Sequence, residues 1–456
     1  MTTGKEWKVI LLFTLPLMAG NFLQQLYNAV DGMVMGNFVG DTGLAAIGSC
    51  ASLALIFVCL ALGFSTGAGI VVAQLFGAQK MQDMRRAVST SLILLLAMGL
   101  VFSILGFIFT PWLMGGLLNI QETQVREMAI VYFRIYCVGI LFQFAYNAFA
   151  AMLRALGNSR ATLYFLLVST LVNIGLDLLF VAVFHWGAAG AAVATVIAQF
   201  LSALVGVIYT MKKYPVLRFT KGEFGFDRKM CGLALRFGIP MTIQQSCISI
   251  GTLAIQRLAN GFGKVTMAAF TAGGRIEMFC CIPFTSFSTG LCTFVGQNVG
   301  AGKMDRVLRG HKGTMLISAS ASAAISVLVW LLAPTLAAAF GVEGAALAQA
   351  VEYIRFQAFF FILFSIYGTY TATIQGAGDV IYASFCTMTS FGVRGLAAYL
   401  FVYVFHMGYA CCWNTIPIGW GFCTLVAAIR FYMGTWKKKA ITTAEPGGDS
   451  PEKLEA

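Results

Sequence analysis

Three carboxylates, Asp31, Asp177 and Glu277, stand inside otherwise apolar runs. An uncompensated charge at membrane depth costs at least about 2.5 kcal/mol even on lenient insertion scales, so each of these acids needs a partner or a purpose. Asn173 precedes Asp177 by one helical turn and shares its face, while Tyr27 and Gln24 precede Asp31 by one and two turns on its face. Asp31 lies six residues before Asn37, Asp177 eight before His185, and Thr195 eight after Gly187. At about 1.5 Å per residue, all three fall roughly 9 to 12 Å below one rim and can share a chamber. Carboxylates, an amide and a hydroxyl converging in a dry bundle can hold a hard cation such as Na⁺ through oxygen, and two neighbouring acids can equally share a proton. A buried Asp that only fixes packing is the plain alternative.

Glu277 is less determined. Arg275, two positions away, points about 200° round a helix and cannot be its direct partner, which leaves Arg257 on the preceding run. The pair reads as a structural ion pair or as a second coupling site. Pro16, fifteen residues before Asp31, and Pro283 each remove a backbone hydrogen bond inside an apolar run, so kinks are expected, with Pro16 a candidate hinge. Arg134 and Arg355 read as residues that snorkel or tie helix ends. His185, His311 and His406 have no metal-ligand spacing, and there is no Walker-type or dinucleotide glycine motif. Hence no catalytic residue, no bound cofactor and no ATP hydrolysis are expected, and an ion gradient remains as the energy source. The twelve Cys, with no CxxC pair, read as small buried hydrophobes.

Long apolar helices must carry these groups. Of 456 residues, 59% are hydrophobic and 11% charged, with a mean hydropathy of +0.82, against roughly 25% charge in soluble domains. A sizeable soluble domain and a disordered chain are thereby excluded, and continuous apolar runs of about 20 residues argue against a membrane β-barrel. The expected fold is an all-α polytopic membrane protein. Twelve transmembrane helices are predicted at about 8–36, 44–76, 87–113, 128–153, 161–184, 187–211, 232–260, 265–297, 312–340, 350–375, 380–405 and 409–433. The net charge of +12 then reflects loops: Lys and Arg cluster after even-numbered spans, with Arg126 and Lys264 the main exceptions, which predicts cytoplasmic termini in a cell membrane. The expected organisation is an N-terminal lobe over 1–211, a cytoplasmic linker over 212–231, a C-terminal lobe over 232–439 and a disordered tail over 440–456.

The halves repeat. Gln74, Gly77, Ala78, Lys80 and Met81 recur 223 residues later as Gln297, Gly300, Ala301, Lys303 and Met304. At an offset of 221, Tyr132, Arg134, Tyr146, Gly157, Phe184, His185 and Gly187 recur as Tyr353, Arg355, Tyr367, Gly378, Phe405, His406 and Gly408. Two six-helix repeats of equal orientation around a central cleft form a transporter architecture more than a channel or an intramembrane enzyme.

The stretch Pro16 to Gly36, the VGQNVGAGKMDR segment at 295–306, LRALGNSRATLY at 153–164 and NIGLDLLFV at 173–181 resemble the multidrug and toxic compound extrusion (MATE) transporters, in the style of the DinF-like branch. The resemblance covers nearly all twelve spans. It implies a two-lobed antiporter that exports cationic or amphipathic compounds in exchange for H⁺ or Na⁺ by alternating access. It marks Asp31, Asn173, Asp177 and Thr195 as the proton or Na⁺ site, with Gln24, Tyr27 and Asn147 lining the substrate cavity. The expected partners are such small molecules and membrane lipid, with no nucleic acid, for a monomer. The alternative is a flippase for lipid-linked saccharides or another amphipathic lipid, which wants cations facing the cleft, where Arg257, Arg275 and Arg394 are the candidates.

Overall fold

The computed structural model describes residues 1–218 and 224–441, so Lys221 and Gly222 of the expected linker, and the tail from Thr442, lie outside the described residues. Among the described residues every regular element is helical: α1 (Glu6–Phe38), α2 (Gly40–Gly77), α3 (Met81–Trp112), α4 (Thr123–Ala155), α5 (Ser159–Asp177) and α6 (Gly187–Lys213) in the first half. The second half holds α7 (Arg228–Gly261), α8 (Lys264–Gly300), α9 (Met304–Ala339), α10 (Gly344–Gly376), α11 (Val380–Tyr403), α12 (Cys411–Asn414) and α13 (Ile416–Met433). Lipid offers the backbone no hydrogen bonds, and a helix satisfies every N–H and C=O within its own segment. Ten spans are long and apolar enough to cross a membrane, α12 and α13 together forming one of them. α10 makes an eleventh as two segments, Gly344–Ala358 and Phe361–Gly376, bent by 49°. No proline or glycine stands at that bend. α7 is the remaining long helix, with 34 residues, and its middle carries Thr242, Gln244, Gln245, Ser246 and Ser249.

The chain divides into two compact units. The first comprises Ala19–Val72 and Met81–Thr242; the second comprises Met1–Met18, Ala73–Lys80 and residues 243–441. The division runs through three helices: just after Pro16 in α1, after Val72 in α2, and just after Pro240 in α7. α1 and α7 continue unbroken past these prolines.

The sequence repeat is a structural repeat. Gly157 and Gly378 hold φ of 92° and 100° in equivalent turns, and His185 and His406 hold φ of 56° and 49°. Arg134 lies over the Phe107 ring at 5.2 Å, and its counterpart Arg355 lies over Trp330 at 4.7 Å. Asn158 donates to the Tyr209 hydroxyl at 3.1 Å where its counterpart Asp379 accepts from Arg430 at 2.8 Å. Within the second unit, the end of α2 meets the end of α8 through the duplicated Gln-x-x-Gly. A Cβ on Gly77 would stand 1.9 Å from the Gln297 carbonyl oxygen, and one on Gly300 would stand 2.0 Å from that of Gln74. Only glycine allows this crossing. Gln74 then donates to the Gly376 carbonyl at 2.9 Å and accepts from the Ile441 N–H at 2.9 Å, which ties the last described residues to α2 and α10.

Candidate functional site

The first unit gathers its acids from α1 and α5 against α4 and α6. α5 starts cleanly because Asn158 caps it, accepting from the Ala161 N–H at 3.0 Å. Its regular winding stops at Asp177, and Leu178–Val183 continues as a wider π-helical turn. Such turns are rare and concentrate at functional sites, because the extra residue loosens the backbone ladder. Asn173 and Asp177, one turn apart, are each 1% exposed.

Asp31 faces Asp177 closely enough for the two side chains to interact directly. Tyr27 faces both acids and bonds the Thr195 hydroxyl. That hydroxyl also accepts from Asn173 Nδ2 at 3.5 Å and donates to the Ala191 carbonyl at 3.0 Å. Three helices, α1, α5 and α6, thus bring Asp31, Tyr27, Asn173, Asp177 and Thr195 together. Gln24 and Asn147 hydrogen-bond within their own helices instead, to Asn28 Oδ1 at 3.4 Å and to the Gln143 carbonyl at 2.9 Å.

What these contacts leave unmet defines the chemistry. Neither carboxylate oxygen of Asp177 has a hydrogen-bond donor, nor has Asn173 Oδ1. A buried acceptor left unmet costs about 1–3 kcal/mol. Two ionised carboxylates in direct contact repel as well, since like charges at about 4 Å cost about 4 kcal/mol at an effective dielectric near 20. The cluster is rich in oxygen and short of positive charge. A proton shared by the two acids satisfies it, and so does a hard monovalent cation held by Asp31, Asp177, Asn173 and Thr195. Among the described residues no group of three or more His, Cys, Asp or Glu side chains converges as a metal cluster.

Tyr132 on α4 is the residue that the sequence reading did not assign. It faces both Asp31 and Asp177 and stacks on Tyr136, with centroids 6.5 Å apart. Its signal was present, because Tyr132 is one of the duplicated positions and its counterpart Tyr353 also meets an acid. In the second unit the Tyr353 hydroxyl donates to Glu277 Oε2. The cation facing Glu277 is Arg394 of α11, whereas Arg257 is exposed on α7. Adjacency along the chain points to α7, whereas the charge that reaches Glu277 comes from α11.

Residues 16–179 and 240–400 match the MatE family. The probable multidrug resistance protein YpnP of Bacillus subtilis is 28% identical over 448 residues, which cover 97% of this chain and 98% of that protein. The probable multidrug resistance protein NorM of Thermotoga maritima is 23% identical, over 96% of this chain and 95% of that protein. Among solved structures, a crystal structure of MATE in complex with MaL6 superposes with a TM-score of 0.90 at 24% identity, covering 95% of this chain and 98% of that one. A MOP superfamily transporter from Pyrococcus furiosus superposes with a TM-score of 0.88, also at 24% identity, over 95% and 97% of the two chains. At that identity the two structures establish the fold. The two matched segments take in the acids of both units, Asp31 and Asp177 in one and Glu277 in the other. Together these matches mean that the chain belongs to the MatE family of membrane transporters.

Proposed function

We propose that this MatE transporter exports cationic or amphipathic compounds in exchange for H⁺ or Na⁺ by alternating access, through the Asp31–Asp177 site in the manner of the DinF-like branch. The observation that carries the proposal is the trio of buried oxygens without donors, Asp177 Oδ1 and Oδ2 and Asn173 Oδ1, beside a second carboxylate. A bound H⁺ or Na⁺ supplies the missing charge. Its departure leaves two carboxylates in mutual repulsion, which favours any conformation that separates α1 from α5. Ion occupancy and the position of α1 are then linked reciprocally, as exchange transport requires. Pro16 stands just before the residues where α1 passes from one unit to the other, a position suited to a hinge. Acids with Tyr27, Tyr132 and Tyr136 suit cationic substrates, through charge and through the aromatic faces. Gln24, Tyr27 and Asn147 would line the substrate cavity, and both termini would face the cytoplasm of the cell membrane.

Purified protein in proteoliposomes, given a cationic dye and either a pH gradient or a Na⁺ gradient, tests this reading. Uphill dye movement driven by one of the two gradients is expected. Dye that only equilibrates downhill under both gradients overturns the proposal in favour of a channel.

A further inference from the structure

The two halves share one plan but differ in the charges of their buried clusters. The offset of 221 residues that pairs Tyr132 with Tyr353 and Gly157 with Gly378 also pairs Asn173 with Arg394. Asp177 and Thr195 pair with Ala398 and Ile416. The helices agree with this register, since α5 begins at Ser159 and α11 at Val380. The second unit therefore lacks the acid of α5, takes its acid from α8 as Glu277, and presents a guanidinium where the first unit presents an amide. Tyr353 keeps the place of Tyr132 facing the acid, and its hydroxyl donates to Glu277.

The second cluster is built tightly. Tyr353 is 2% exposed, and its ring lies nearly parallel to Phe270 and Trp413, with centroids 5.7 and 5.4 Å away. A Cβ on Gly273 would stand 2.1 Å from that ring, so glycine makes the space for it. Arg394 Nε is buried with no hydrogen bond, and the charge facing the guanidinium is that of Glu277. The other titratable groups around the pair are Tyr353 from α10, Cys280 and Cys281 from α8, and Cys412 from α12.

We propose that Arg394 is a tethered cation, standing beside Glu277 as the exchangeable ion stands beside Asp31 and Asp177. The inference rests on the ion-coupling reading of the first unit. A guanidinium keeps its proton at every physiological pH and cannot leave the protein. The second unit's acid is thus permanently balanced, and the transporter exchanges its coupling ion at the first unit alone. Restoring the first unit's residue by Arg394→Asn leaves a buried acid, a tyrosine hydroxyl and an amide together. That set takes a monovalent cation, H⁺ or Na⁺.

The test uses the full-length purified chain. Its melting temperature is titrated with NaCl against choline chloride at constant ionic strength, and separately with pH. Wild type should respond to one of the two, D31N/D177N should not, D31N/D177N/R394N should regain a response, and adding E277Q should abolish it again. A folded D31N/D177N/R394N that stays silent while wild type responds overturns the tethered cation and leaves the first-unit reading intact. A wild-type response persisting in D31N/D177N overturns the first-unit reading and the analogy with it. Should R394N not fold, E277Q/R394N decides. The pair exchanges no charge, so this double variant should keep the wild-type number of ions per dye molecule, and a lower number overturns the proposal.

Discussion

Replacing Asp177 by Asn isolates charge from shape. The side chain is 1% exposed, both of its oxygens lack donors, and Asp31 faces it. At about 4 Å and an effective dielectric near 20, a carboxylate attracts a monovalent cation by about 4 kcal/mol. Every 1.4 kcal/mol or so is a factor of ten, so the substitution should weaken ion binding roughly a thousandfold. Folding should not suffer, because an amide carries no charge into the apolar interior and its N–H groups can meet Asp31 and Asn173. The melting temperature should therefore hold or rise. D177N and wild type, reconstituted at equal folded amounts, would be compared for gradient-driven dye movement and for the dependence of its rate on pH and Na⁺. The variant should still bind and equilibrate dye but should fail to concentrate it. Wild-type accumulation with an unchanged ion dependence, in D177N and in D31N alike, would refute the coupling argument and make both acids structural.

Pro16→Ala should slow efflux while leaving dye binding near normal, since it stiffens α1 close to the boundary between units; a wild-type rate at equal expression would reduce Pro16 to a packing residue. Tyr132→Phe removes the hydroxyl that faces both acids and keeps the ring, so it should shift the pH or Na⁺ dependence of transport without lowering the melting temperature, and an unchanged dependence counts against a role at the site. Asp379→Ala strands Arg430, whose side chain is 19% exposed and bonds Asp379 at 2.8 Å, and should cost about 3 kcal/mol in reversible unfolding, with a smaller loss in Asp379→Asn. A reporter active only in the cytoplasm should work when fused after Arg218 or Lys439 and fail after Lys264; activity at the last position would break the topology.

The helical layout was legible because lipid leaves the backbone few choices and because runs of apolar residues are long. The acid site was legible too, since a charge in such a run stands out and helical periodicity gives its face: Asn173 with Asp177, and Tyr27 with Asp31. Three features were not. The 49° bend of α10 carries no proline or glycine, so nothing local marks it. Chain order points to the preceding helix for the partner of Glu277, whereas the cation that faces it is Arg394 of α11. Tyr132 is an ordinary aromatic residue in an apolar helix, and only its counterpart's contact with Glu277 shows what the duplicated position does. The passage of α1, α2 and α7 between units is not legible because a polar linker is conspicuous in sequence and a change of packing partner within a helix is not.

The turn before α5 and its twin before α11 have diverged in a way that reaches beyond geometry. One is latched by Asn158 and Tyr209, two neutral groups; the other, by Asp379 and Arg430, is latched by full charges. The hydration that charges give up on pairing is worth less as temperature rises, while the balance for neutral hydrogen bonds has no comparable drift. Heating should thus loosen the amide latch relative to the ionic one. A protein made of duplicated halves would then lose one corner before the other in the heat, and hydrogen exchange at the two turns would read that order directly.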